Sequence, residues 1–148
     1  MPYFIFLKNS DNIENTIYKI AENDSDLSKL NINNSDYKII EVTQANFNDV
    51  KLGIKHPIKY NNNDISFINL THKFNNKLSL EVEIKTQSNN IKNFTENNLN
   101  HSLYARWNNY LNQLNNLNLD SITYPVNKSL EQYFNDLGQP SYNILQLP

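Results

Sequence analysis

The sequence predicts an α+β fold with a β-rich N-terminal half of short strands and hairpins, a helical C-terminal half and an extended C-terminal arm. Three observations carry that expectation. Short apolar runs bounded by turn residues fill the first part of the chain. Leu103, Trp107, Tyr110, Leu111 and Leu114 recur at the spacing of one helix face. Finally, Gly138 and Pro140 stand where a last helix would stop and an arm would leave it.

The elements follow in order. Tyr3 to Lys8 and Thr16 to Ala21 flank Asn9-Ser10-Asp11-Asn12 and suit a hairpin with a longer loop. Asp24, Ser25 and Asp26 cap a short helical turn through Leu27 and Leu30, because their side chains accept from the free amides of a first turn. Tyr37 to Val42 is the next strand. Thr43 is placed as the N-cap of a helix from Gln44 to Leu52, with Phe47 and Val50 on its apolar side and Gly53 as its stop. Ile54 to Tyr60 and Ile65 to Leu70 are two further strands joined by Asn61 to Asp64. Pro57 has no amide to donate, which assigns its strand to a sheet edge.

Between Thr71 and Asn98 two patterns compete. Leu78, Leu80, Val82 and Ile84 alternate as in a strand. A helix capped at Thr71 or His72 instead aligns Phe74, Leu78 and Val82 in one row and Ile84, Ile91 and Phe94 in another. A strand over 77–86 would leave a long unstructured connection, so the helix is preferred. Helices are then expected from His101 to Asn115 and from Lys128 to Leu137, the latter capped by Asn127 with Leu130, Tyr133, Phe134 and Leu137 on one face. The chain's 148 residues are the size of one ordinary domain. Residues 1–139 are expected to form it, with 140–148 as the arm.

Thirty asparagines against three alanines, two glycines and one arginine, with twelve lysines, look like the imprint of A- and T-rich codons rather than of a particular chemistry. Sixteen Phe and Tyr plus Trp107 supply the rings of a core. The net charge of −2, with acids and bases interspersed, leaves no basic footprint for nucleic acid. Without cysteine there is no thiolate chemistry and no cysteine-based metal site. The apolar run Tyr3 to Leu7 is too short for a signal peptide or a membrane span.

Candidate chemistry is sparse. His56, His72 and His101 are the available imidazoles, but none has a His or Glu four residues away to complete a ligand set, so surface or loop roles are preferred. Asp24 and Asp26 alternate as in half a calcium loop, yet the glycine and distal Glu of such a loop are missing, which favours capping. Glu81 and Glu83 would share a face only on a strand. Trp107 and Tyr110 could stack on a ligand beside Tyr104 and Arg106, but they share a face with Leu103 and Leu114, which favours the core. Two glycines cannot build a phosphate loop or a nucleophile elbow. No catalytic, cofactor-binding or metal residue is therefore assigned, and no cofactor is expected.

The stretch Asn118 to Leu137, NLDSITYPVNKSLEQYFNDL, with the ending Ile144-Leu145-Gln146-Leu147-Pro148 and the opening MPYFIFLKNSDNIENTIYKIAEND, resembles small uncharacterised virion structural proteins of marine tailed bacteriophages. The resemblance implies a non-enzymatic subunit of tail, baseplate or head, made in the host cytoplasm and carried in the virion. Its partners would be other virion proteins and further copies of itself, with no nucleic acid, membrane or small-molecule substrate. Tyr142, Ile144, Leu145 and Leu147 on the expected arm are the interface candidates. A small intracellular protein-binding module is the first alternative. An enzyme of unrecognised type, with a polar pocket around one of the histidines, is the second.

Overall fold

The computed structural model describes residues 1–8 and 15–148, and its fold class is the α+β one expected: among the described residues, five strands lie in the first seventy positions and the longer helices follow them. Strand β1 (Tyr3–Leu7) is apolar or aromatic at every position, a composition that suits a strand covered on both faces. It lies in the middle of an antiparallel sheet of order β2-β1-β3, between β2 (Thr16–Ala21) and β3 (Tyr37–Glu41), and Phe4, Ile5 and Phe6 are fully buried. The loop expected at Asn9 to Asn12 lies outside the described residues.

Capping sets the two short helices of this region. In α1 (Asp24–Lys29) the cap is Asn23, whose side chain accepts from the Asp26 amide, and Asp24 and Asp26 fill the first turn. Helix α2 (Gln44–Lys51) starts at Thr43 as expected, buries Phe47 and Val50, and is followed by Gly53 at φ +70°, the left-handed region where glycine is least strained. Strands β4 (Lys55–Asn61) and β5 (Asp64–Asn69) form a two-stranded sheet closed by Asn62 and Asn63, both at positive φ as a type I′ turn requires. Pro57 sits beside a bulge in this pair, where a missing amide is tolerated. The hairpin covers one face of β1: the Phe4 ring meets Phe67 at 6.3 Å and the Phe6 ring meets Tyr60 at 5.6 Å.

The chain divides into two compact units after Leu70, where one domain over 1–139 was expected. Each unit has its own reason to cohere. The second, Thr71–Leu147, is built on α3 (Lys77–Asn97), α4 (Tyr104–Asn115) and α5 (Leu130–Asp136). Helix α3 is present as expected, but it starts later than Thr71 or His72. Phe74 is held extended by paired backbone hydrogen bonds with Val126, so the first free cap is Asn76, in a capping box with Ser79. Of the two expected rows, Ile84, Ile91 and Phe94 do lie on its core face, whereas Leu78 and Val82 do not. Leu80, Ile84, Gln87, Ile91 and Phe94 are buried at alternating spacings of four and three, while Leu78 and Val82 are 66% and 58% exposed. Helix α4 buries Trp107, Tyr110, Leu111 and Leu114, with Leu103 at its N-cap, as the periodicity predicts. For α5 the cap is Ser129, accepting from the Gln132 amide, rather than Asn127, and Leu137 is exposed beyond the helix end.

The C-terminal segment corrects the expected arm. Instead of leaving as an extended chain, it makes a 3₁₀ turn at Ile144–Gln146 capped by Asn143, and Leu147 joins the core of the second unit. Tyr142 and Ile144 pack against that core, and Leu145 is half-buried. The Tyr142 ring lies 5.5 Å from both Trp107 and Tyr110, and Gln113 donates to the Pro140 carbonyl at 2.7 Å. Apolar groups leave water for the nearest apolar surface, and here that surface is the chain's own helices.

Candidate functional site

The residues singled out in the sequence are dispersed by the fold. His56 is half-buried in β4, and that burial lowers its pKa below the ordinary imidazole value. His72 is half-buried ahead of the Phe74 bridge. His101 is a local capping residue: its Nδ1 accepts from the Leu103 amide at 3.0 Å, and its ring stands edge-on to Phe94. Among the described residues no three acidic or imidazole side chains gather as metal ligands. Asp24 accepts from the Tyr3 hydroxyl and so ties α1 to β1, and Asp26 is buried in the first turn of α1. Tyr104 and Arg106 are half-buried, with the Arg106 guanidinium 5.3 Å from the Tyr142 ring centre.

Helix α3 separates Glu81 from Glu83. Glu81 is exposed and lies 3.8 Å from Lys77, while Glu83 turns inward toward a polar knot that sequence did not reveal. Gln87, on the core row of α3, donates through one Nε2 to Glu83 at 3.0 Å and to Glu131 of α5 at 3.1 Å. Glu131 is only 8% exposed. Burial, reinforced by the neighbouring Glu83 charge, raises its pKa to about 7, against the opposing pull of the α5 backbone amide and of Gln87 and Ser129. The Tyr110 hydroxyl is pushed upward by burial and then by the Glu131 charge. Gln87 Oε1 and Trp107 Nε1 are buried without a hydrogen-bond partner. This knot holds a proton near neutrality, but Gln87, Tyr110 and Glu131 are enclosed by packed helices. Its chemistry acts on the core. A signal for Gln87 existed, since it occupies an apolar slot in an otherwise regular heptad row; Glu131 had none, because an acid in a first helical turn is ordinary.

The exposed chemistry of the first unit lies on the sheet. Residues Tyr3, Ile5 and Leu7 point away from the Phe4 and Phe6 face, together with Tyr37, Ile39 and Glu41 of β3. Tyr18 of β2 and Tyr37 of β3 reach toward each other over the central strand and stack with ring centres 4.6 Å apart and planes at 28°. Ile5, on the central strand between them, is completely buried. Tyr18 remains 40% exposed, Leu7 beside the pair is 44% exposed, and the Lys19 ammonium sits 5.3 Å from the Tyr18 ring centre. This platform offers flat aromatic area with one cation alongside, a composition common in protein interfaces.

Among the described residues no helix is long and apolar enough to cross a membrane, α3 being long but polar on its outer face. No family model, curated protein or solved structure matches the chain.

Proposed function

We propose that the chain is a non-enzymatic structural subunit of a tailed-phage particle, at tail, baseplate or head, and that it works through contacts with other virion proteins and with further copies of itself. The supporting observation is the Tyr18–Tyr37 platform. Tyrosine gives a partner large contact area and a hydrogen-bonding tip while losing little side-chain freedom, which is why protein interfaces are rich in it. The platform also borders β3, an edge of the three-stranded sheet whose outward backbone groups suit strand addition by a partner. The resemblance of the opening and closing stretches to virion proteins of marine phages points the same way.

Mass spectrometry of purified particles tests the assignment, and a double variant Tyr18→Ala/Tyr37→Ala tests the surface. The wild-type chain is expected in particles at a fixed ratio to the other subunits. The double variant is expected to keep its far-ultraviolet circular dichroism and yet be missing from them. Absence of the wild-type chain from particles overturns the assignment, and normal incorporation of the variant removes the platform from it.

A further inference from the structure

A second surface, on the helical unit, has a chemistry of its own. A cavity of about 330 Å³ opens between one side of α3 and the end of α4. That is the lower end of the range for small-ligand sites. Ile84 and the almost fully buried Leu114 form its floor, and Leu117 and Leu119 supply apolar walls. Its polar rim carries two cations together with Ser88, Asn89 and Asn115, and a single acid. Lys85 and Lys92 line it seven residues apart on α3, about 10 Å along the helix axis. Among the described residues neither ammonium group is in an ion pair, whereas Lys51, Lys55, Lys77 and Lys128 each have a carboxylate partner. The Asn115 side-chain oxygen is taken by the Ser88 hydroxyl at 3.3 Å, leaving its amide nitrogen as a further donor. The one acidic lining residue, Glu81, already faces Lys77.

We infer that this cavity is a binding site for a small amphipathic carboxylate, an apolar chain of about eight carbons whose acid group is held at the Lys85–Lys92 rim. The apolar floor takes the chain out of water, and the unpaired cations select an anionic head over a neutral one. This site stands apart from the Tyr18–Tyr37 platform and does not depend on the particle assignment.

Titrations of the ¹⁵N-labelled full chain with octanoate, octanedioate and 1-octanol, followed by amide resonances, test it. Octanoate is expected to shift residues 84–92 and 114–119 with a dissociation constant of roughly 0.1–1 mM, the strength typical of so few ligand atoms. Octanedioate, whose second carboxylate would meet the apolar floor, should bind more weakly, and 1-octanol about fivefold more weakly. The variant Lys85→Gln/Lys92→Gln changes only exposed groups, so its spectrum should stay that of the folded chain while octanoate affinity falls about two- to fivefold. The inference is overturned if octanoate leaves those resonances unmoved at 10-fold the upper constant, if 1-octanol binds as well as octanoate, or if the glutamine variant binds octanoate like the wild type.

Discussion

Among the described residues of the first unit the buried side chains include Phe4, Ile5, Phe6, Ile20, Ala21, Val42, Phe47 and Val50, and Asp26 is the one buried charged group among them. The second unit buries a larger apolar cluster but threads it with Gln87, Ser88, Thr95, Ser129, Glu131, Ser141 and Gln146. The difference follows from geometry. A central strand offers alternating positions to two faces, and β1 fills both with apolar groups. A helix such as α3 presents a narrow row, into which a flexible amide enters without displacing its neighbours. One titrating group in each unit shows opposite signs of pH dependence. In the first, burial lowers the His56 pKa, so its contribution is present above the ordinary imidazole pKa and is lost on acidification. In the second, Glu131 is held protonated, so stability is fullest below the ordinary carboxyl pKa and is lost as the pH rises toward about 7.

The largest expected effect is at Trp107, the largest fully buried side chain. Trp107→Ala should cost about 3–5 kcal/mol, read as a fall in thermal stability and as lost amide protection across α3, α4 and α5. Trp107→Phe sharpens the comparison, because it keeps most of the ring while removing an indole N–H that has no partner. Its cost should be less than half that of the alanine variant. Equal losses would mean that the N–H is satisfied and that the second core is less polar than described.

Glu131→Gln should act through pH. Raising a buried carboxyl from 4.5 to about 7 withholds up to about 3 kcal/mol from the folded state above neutrality, at about 1.4 kcal/mol per unit. The variant keeps an oxygen to accept from Gln87 and removes the charge. It should therefore be more stable than wild type by up to that amount at pH 8 and nearly equal to it at pH 4, in urea unfolding followed by Trp107 fluorescence. A difference independent of pH would break the account of the knot.

The elements legible in the sequence are those fixed by neighbours along the chain. Thr43 and Gly53 bracket α2, the row from Leu103 to Leu114 gives α4 its face, and the Asn62–Asn63 pair supplies the turn between β4 and β5. What escaped depends on distant partners. The Phe74–Val126 bridge moves the start of α3, and the packing of Tyr142 and Leu147 on α4 and its neighbours converts an expected arm into core. The candidate surfaces escaped for the same reason. Tyr18 and Tyr37 meet only because both strands pair with β1, and Lys85 and Lys92 become a rim only when the end of α4 lies beside them.

The smallest effect is expected at Leu78 and Val82, where two apolar residues one turn apart misdirected the expected face of α3. Their alternation with Leu80 and Ile84 fits a strand, and their spacing fits a helical row, so local pattern alone counts them as core twice over. In the structure they are more than half exposed, on a helix whose buried row contains Gln87 instead. Leu78→Ser and Val82→Ser should each change stability by no more than about 0.5 kcal/mol in urea unfolding followed by Trp107 fluorescence. Ile84→Ala, two residues further along the same helix, should cost about 2–5 kcal/mol because it opens a cavity under α4. A cost of about 2 kcal/mol or more at Leu78 or Val82 would return them to a buried face and rotate the core row of α3 away from Gln87, and with it the polar knot that separates the second unit from the first.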